Sequence, residues 1–285
     1  TELFIALDYP PSEQYRDGWQ KIDSFLHEKE LSCGFKKLHV IRRSYNHGIG
    51  KPDGNYELML EEVSKLYDRF IFSEDDNEFS PNFLEYMNWG LETFAGDNSI
   101  YAVCGYNGVK ISNINNNVYL YPRFNAWGCG QWIWKRKKLD VFYNWDYLYK
   151  VAKGYPLSTV WSRDFLHAYH IVRMVNRKEF YGDSIKGCLP ENERYCLYPV
   201  ISKVRNTGLD GSGLHGGRGK NSQILEANRI IDTENLFTPY ITEDLVQPQI
   251  KAIYKKQERD EGNLVKAFAR RVLFLVWKLT GINYC

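Results

Sequence analysis

The chain has 285 residues, 44% of them hydrophobic, which suits one sizeable core with an appendage better than two full domains. Its 37 basic and 35 acidic side chains leave a formal charge of +2, so it lacks the global basic field of a nucleic-acid binder. Six scattered cysteines, at 33, 104, 129, 188, 196 and 285, form no C-x-x-C pair, which argues against a zinc ribbon or disulfide scaffold and for a reducing compartment.

The chain opens on the apolar run Leu3–Leu7, which reads as a buried strand already under way rather than a signal peptide, so the chain is expected to start inside a domain. It ends at Asp8. Ser12 is placed to cap a helix over about 13–30. Lys37–Arg42 reads as a short strand, followed by the loop Asn46-His47-Gly48-Ile49-Gly50. Leu58, Val63 and Leu66 predict a helix over about 56–67. Arg69–Ser73 reads as a strand that stops in Glu74-Asp75-Asp76. Phe83, Leu84, Met87 and Leu91 share one stripe of a helix over about 81–94, and Ile100–Cys104 is the next strand. This βαβαβ order predicts a mainly parallel sheet flanked by helices, with ligands bound beyond the carboxyl ends of its strands.

The middle is less regular. Val118–Leu120 and Gln131–Trp134 read as short strands around Asn125-Ala126-Trp127-Gly128, and a helix is expected over about 164–176. Gly208–Gly219 is a glycine-rich loop, and residues 225–260 are polar and mixed. No apolar run approaches the ~20 residues needed to span a bilayer. The domain boundary is expected near residue 225, with 226–285 as an extension.

Three adjacent carboxylates at a strand exit repel one another, and a divalent cation would hold them together. Mg²⁺ or Mn²⁺ takes one or two carboxylates and completes its shell with phosphate oxygens, which a nucleoside diphosphate supplies. The bland alternative is a solvated acidic turn that caps the next helix, with Ser80 as the cap. An EF-hand does not fit, because Phe79 and Ser80 stand where a ligand and a glycine are required. Gly211–Gly216 formally matches G-x-G-x-x-G, but no strand-loop-helix unit surrounds it.

The stretch Phe72–Tyr86, with Glu74-Asp75-Asp76 and then Pro81-Asn82-Phe83-Leu84-Glu85-Tyr86, resembles the E-D-D and P-x-F-x-x-Y segment of the N-acetylglucosaminyltransferase I-like family and related bacterial sugar transferases. Asn125–Gly128, Arg163-Asp164 and Tyr198–Gly216 resemble later family blocks in the same order. The resemblance covers roughly residues 3–217. It implies a GT-A (Rossmann-like) fold and inverting, metal-dependent transfer from a nucleotide-diphosphate sugar to a hydroxyl of a glycan or lipid-linked glycan. Bacterial surface polysaccharide or glycan synthesis is the implied setting. Asp76 is assigned the Mn²⁺ or Mg²⁺. By resemblance Glu74 and Asp75 orient the donor, Asp8 reaches its base or ribose, and Asp164 is the general base, with Asp146 and Asp183 as backups. Asn46, Trp127 and His215 are further donor contacts, and Trp132 is either a core residue or a stacking candidate. The family's strand and loop before Leu3–Asp8 have no counterpart here.

Leu264, Phe268, Val272, Leu275 and Leu279 recur at helical spacing among Lys266, Arg270, Arg271 and Lys278. Such a helix over about 263–279 either lies on an anionic membrane or packs on its own domain. The expected location is the cytoplasm, with the inner face of the membrane open to it through this helix. Two other functions remain open: a non-catalytic glycan-binding protein of the same fold, and a nucleotidyltransferase.

Overall fold

The short apolar runs become strands, and the periodic stretches between them become helices, in the computed structural model. It describes residues 1–30, 32–49, 53–109, 111–137, 144–162, 165–178, 195–208, 230–253 and 264–282. The chain divides into two units, Thr1–Asp68 and Arg69–Cys285.

In the first unit, β1 (Leu3–Leu7) and β2 (Leu38–Arg42) pair in parallel, Leu3 opposite Leu38 and Leu7 opposite Arg42. Parallel neighbours need a crossover, and α1 (Arg16–Glu30) supplies it. A second helix, α2 (Asn55–Ser64), follows β2. The strand at Leu3–Leu7 is half-buried along its length rather than buried, and α1 sinks only Leu26 fully. Ser12 does not cap through its side chain: its carbonyl accepts from the Tyr15 amide at 3.1 Å, and a 3-10 turn over Glu13–Tyr15 leads into the helix. Arg42 ties strand to helix, donating to Asp23 at 2.5 Å and to Glu30 at 3.1 Å.

The second unit is a mixed α/β assembly. Its strands are β3 (Arg69–Phe72), β4 (Asn77–Phe79), β5 (Ile100–Cys104), β6 (Val118–Tyr121), β7 (Cys129–Trp132), β8 (Tyr195–Pro199) and β9 (Val204–Asn206). Five of them form one sheet in the order β3-β7-β5-β8-β6, and β4 and β9 form a separate ribbon. The expectation of a mainly parallel sheet is corrected here. Among the described residues of this unit only β5–β8 pairs in parallel, while β3–β7, β5–β7, β6–β8 and β4–β9 are antiparallel. The cause is β7, which inserts between β3 and β5 and separates strands that run in the same direction.

Helices cover both faces. On one side α3 (Phe83–Thr93) packs Phe83, Tyr86, Met87 and Leu91 against Val103, Trp132, Leu197 and Val204. After the short α4 (Ile133–Lys137), the other side carries α5 (Trp145–Gly154), α6 (Phe165–Arg177) and α7 (Leu264–Thr280). They bring Leu148, Ile171, Phe274 and Trp277 onto Tyr101, Cys104 and Tyr119. Covered on both faces, β5 is buried at every residue, which is why it reads as an unbroken apolar run. Many of the abundant aromatics serve this core, and two buried tyrosines find acceptors: Tyr86 donates to the Cys104 carbonyl at 3.0 Å and Tyr119 to Asn107 at 3.0 Å.

Lys135 joins layers in a way no sequence pattern announces. It is 2% exposed, and its ammonium donates to the carbonyls of Phe94, Asp97 and Ile100 at 2.9, 2.7 and 2.9 Å. The Trp132 ring lies 3.6 Å away. Lys135→Met is expected to lower unfolding free energy by about 3 kcal/mol, near 1 kcal/mol per orphaned carbonyl. Urea denaturation measures this, and a loss well under 1 kcal/mol would refute the linkage.

Among the described residues no helix is long and apolar enough to cross a membrane.

Candidate functional site

Strand directions concentrate polar residues at one sheet edge. β3 and β5 each run opposite to β7, and β5 runs with β8, so the carboxyl ends of β3, β5 and β8 share that edge. Glu74-Asp75-Asp76 leaves β3 there, Gly105 and Tyr106 leave β5, and the segment after β8 reaches Gly208. Carboxyl strand ends are where open α/β sheets bind ligands.

Hydrogen bonds knit these exits together. The Gly105 amide donates to the Gly128 carbonyl at 2.8 Å, and the Lys203 amide to the Gly105 carbonyl at 2.8 Å. The ribbon then sets Asn77 opposite Asn206. Just beyond it, the amide and hydroxyl of Thr207 both donate to the Asp76 carbonyl, at 2.7 and 2.9 Å. Gly128 sits at φ +56, and a Cβ there would lie 2.6 Å from Val204, so only glycine lets this turn close against β9.

The Asp76 side chain stands out within this frame. Its Oδ1 is buried and has no hydrogen-bond partner among the described residues. An orphaned buried oxygen costs about 1–3 kcal/mol. A methyl group added at Gly208 would overlap Asp76 Oδ2. Gly208 is itself fixed by its amide, which donates to Asn206 Oδ1 at 2.9 Å. Gly208→Ala is therefore expected to displace the carboxylate and weaken any cation bound by Asp76 about tenfold or more. Isothermal titration with Mn²⁺ and a nucleoside diphosphate measures it, and unchanged affinity would show that the glycine is incidental.

Glu74 and Asp75 are exposed at the same turn. The triplet does not cap α3, because β4 intervenes and the Phe83 amide bonds the Ser80 carbonyl at 3.1 Å. Ser80 instead donates its hydroxyl to Asn82 at 2.9 Å. Trp127 is half-buried and packs edge-on against Tyr106 at 4.6 Å, with its amide held by Asn125 at 2.8 Å. The Tyr106 hydroxyl is buried without a partner among the described residues, and burial pushes its pKa up to about 12. A half-open indole beside a buried phenol donor is a surface on which a sugar ring can stack. Trp132 is not available for stacking: it is fully buried, its indole N–H bonded to the Leu91 carbonyl at 2.9 Å.

Asp164, His215 and the backup Asp183 lie outside the described residues, as does the loop from 209 to 219. The other backup, Asp146, sits exposed in the first turn of α5, where Asn144 accepts from the Tyr147 amide at 3.0 Å.

In the first unit, Asp8 and Asn46 meet at the carboxyl ends of β1 and β2, as expected for neighbouring parallel strands. Asp8 Oδ1 accepts from the amides of Tyr9 and His47 at 3.0 and 2.9 Å, and Oδ2 from the Gly48 amide at 2.8 Å and Asn46 Nδ2 at 3.3 Å. Three of those four bonds tie the carboxylate to the loop 46–48. Asp8→Ala is expected to destabilise this unit by about 2–3 kcal/mol, measured by hydrogen exchange of β1 and β2. Unchanged exchange would return Asp8 to the pool of free ligand contacts.

Sequence reasoning missed the residues that frame Asp76. Lys203 forms a buried ion pair with Asp232, which also accepts from Asn82 Nδ2 at 3.2 Å. No motif links positions so distant in the chain. Among the described residues no group of three or more His, Cys, Asp or Glu could hold a metal, so a cation at Asp76 would depend on oxygens brought by its ligand. No protein-family model matches this chain, and no curated protein matches it either.

Proposed function

We propose that this protein is a metal-dependent glycosyltransferase of GT-A type. It moves a sugar from a nucleotide-diphosphate sugar to a hydroxyl of a glycan or lipid-linked glycan, with inversion, in bacterial surface polysaccharide or glycan synthesis. The observation that carries this reading is the orphaned, buried Oδ1 of Asp76 at the carboxyl end of β3. A carboxylate oxygen with no partner among the described residues fits the donor set of Mn²⁺ or Mg²⁺ completed by diphosphate oxygens. A cation held there would neutralise the leaving diphosphate. Thr207 and Gly208 hold Asp76 in place through its carbonyl and by close backbone approach. Trp127, half-buried and packed on Tyr106, offers the sugar an apolar face. Glu74 and Asp75 orient the donor, and Asp164 takes the proton from the acceptor hydroxyl, both by resemblance.

The test is a thermal-shift panel of nucleoside diphosphates and nucleotide sugars with and without Mn²⁺ or Mg²⁺. A ligand at a hundred times its Kd adds about 2.7 kcal/mol, a rise of roughly 5–10 °C for a unit of this size. Metal-dependent stabilisation by one nucleoside diphosphate and its sugar supports the reading. Absence of any such shift overturns it, and a shift confined to triphosphates makes the protein a nucleotidyltransferase.

A further inference from the structure

The last helix, α7, is apolar on two opposite sides. One side is accounted for: Phe274 and Trp277 are buried in the core, and the Trp277 indole donates to Asn176 at 3.0 Å. On the other side Val265, Phe268, Val272 and Leu279 stand exposed, Val265 and Leu279 at 71% and Phe268 at 69%. Their spacing of three, four and seven residues puts them on one stripe along the helix. The neighbouring 3-10 segment Leu157–Trp161 adds to this surface, tied to α7 by Arg271 Nε donating to the Val160 carbonyl at 3.0 Å. Leu157 is exposed there, and Trp161 is 82% exposed.

Charge identifies the occupant. The helix Leu264–Thr280 carries Lys266, Arg270, Arg271 and Lys278 with no acidic residue, and Leu157–Trp161 holds no acidic residue either. At the carboxyl end of α7, Lys153 and Lys278 come together: Lys153 Nζ donates to the Trp277 carbonyl at 3.2 Å, and Lys278 Nζ bonds the Lys153 carbonyl. Arg271 and Lys278 border the stripe, so a second copy of this helix laid against it would bring these two cations onto their own copies and no carboxylate of the helix, and self-pairing is electrostatically opposed. An anionic surface is complementary. With 17 residues at 1.5 Å each, α7 is about 25 Å long and packed along one side, so it can lie on a bilayer but not cross it.

We propose that α7 and Leu157–Trp161 form a monotopic membrane-docking surface. Val265, Phe268, Val272, Leu279 and Trp161 enter the interface of an anionic bilayer, while Arg271 and Lys278, which flank the stripe, lie at the level of its headgroups. An exposed indole beside an apolar stripe suits this zone, because tryptophan partitions to the boundary between headgroups and acyl chains. This inference goes beyond the proposed transferase activity and does not depend on it.

The experiment is flotation of the full chain with two vesicle types: phosphatidylcholine alone, and phosphatidylcholine with about 30% phosphatidylglycerol. The wild type is expected to float at least tenfold more with the anionic vesicles. Raising the salt should reduce this, since the surface potential fades within a Debye length. The exposed-site variants Phe268→Ser/Val272→Ser and Trp161→Ala should each cut flotation at least fivefold while keeping the wild-type melting temperature. Lys150→Ala, on α5, controls for a nonspecific charge effect and should leave flotation within twofold. Failure to float with either vesicle overturns the proposal. Equal flotation with both vesicles overturns it too, because the charge argument would be wrong. Self-association in sedimentation velocity that the same serine variants abolish, without vesicle binding, assigns the stripe to a second copy instead. None of these readouts uses nucleotide or metal, so failure here leaves the thermal-shift result standing, and the converse holds.

Discussion

Asp76→Ala is expected to abolish the metal-dependent thermal shift and lower the transfer rate by about 10²–10³-fold or more, while leaving the unliganded protein as stable as the wild type or up to about 1 kcal/mol more stable. The two halves of this expectation come from one observation. Asp76 Oδ1 is buried and unpartnered among the described residues, so removing it relieves an unfavourable burial. The bonds that hold the turn use the Asp76 backbone carbonyl, which alanine keeps, with Thr207 at 2.7 and 2.9 Å. A residue kept for folding would behave in the opposite way. Such opposition between stability and activity is what functional polar groups show when replaced. Asp76→Asn separates charge from shape: it should retain the fold and still lose the metal. The measurements are melting curves with and without Mn²⁺ and nucleoside diphosphate, and single-turnover transfer assays. A variant that loses stability but keeps its ligand shift would make Asp76 a structural residue.

Breaking the Lys203–Asp232 pair is expected to produce the largest loss of stability. Asp232→Ala should cost about 3–5 kcal/mol, because it strands a buried ammonium. Lys203 and Asp232 are both buried, and Asp232 also accepts from the Glu234 amide at 2.9 Å. Burial pushes the Asp232 pKa up, but Lys203, the Glu234 amide and Asn82 outweigh it, and the net direction is down from 3.8. A depressed carboxylate contributes its stability in full above its free value and loses it as pH falls through the lowered folded value. Wild-type stability should therefore decline on the acid side over a range where Asp232→Ala stays flat. Lys203→Met combined with Asp232→Leu should cost less than either single change, because no lone charge is left behind. Urea titrations across pH test all three, and a cost under 1 kcal/mol for Asp232→Ala would show the pair to be dispensable. The pair also bears on the site. Lys203 directly precedes β9, which carries Thr207 and Gly208 to Asp76, so Asp232→Ala should weaken nucleotide binding from a distance.

Local patterns in this chain were legible because the forces behind them act over a few residues. The runs Leu3–Leu7, Arg69–Phe72 and Ile100–Cys104 are strands, and the stripe Phe83–Leu91 is the buried face of α3. The position of Asp76 at a strand exit was equally legible. Its immediate surroundings were not. Ser80 reads as a helix cap but holds Asn82 through its hydroxyl, and β4 separates the acidic triplet from α3. Trp132 read as a stacking candidate and is core, because β7 lies inside the sheet rather than at its rim.

By itself the sequence determined the α/β class, most element positions and the acidic strand exit, since periodicity, turn chemistry and charge spacing are local properties. Only the tertiary structure decided that β7 divides β3 from β5, that Thr207 and Gly208 close on Asp76, and that Lys203 finds Asp232. Each joins residues separated by dozens of positions, and such pairings follow from strand order and burial, which no local pattern encodes. The acidic triplet thus resolves into one buried carboxylate oxygen, unpartnered among the described residues, with two exposed acids beside it, because packing from the segment after β9 reaches Asp76.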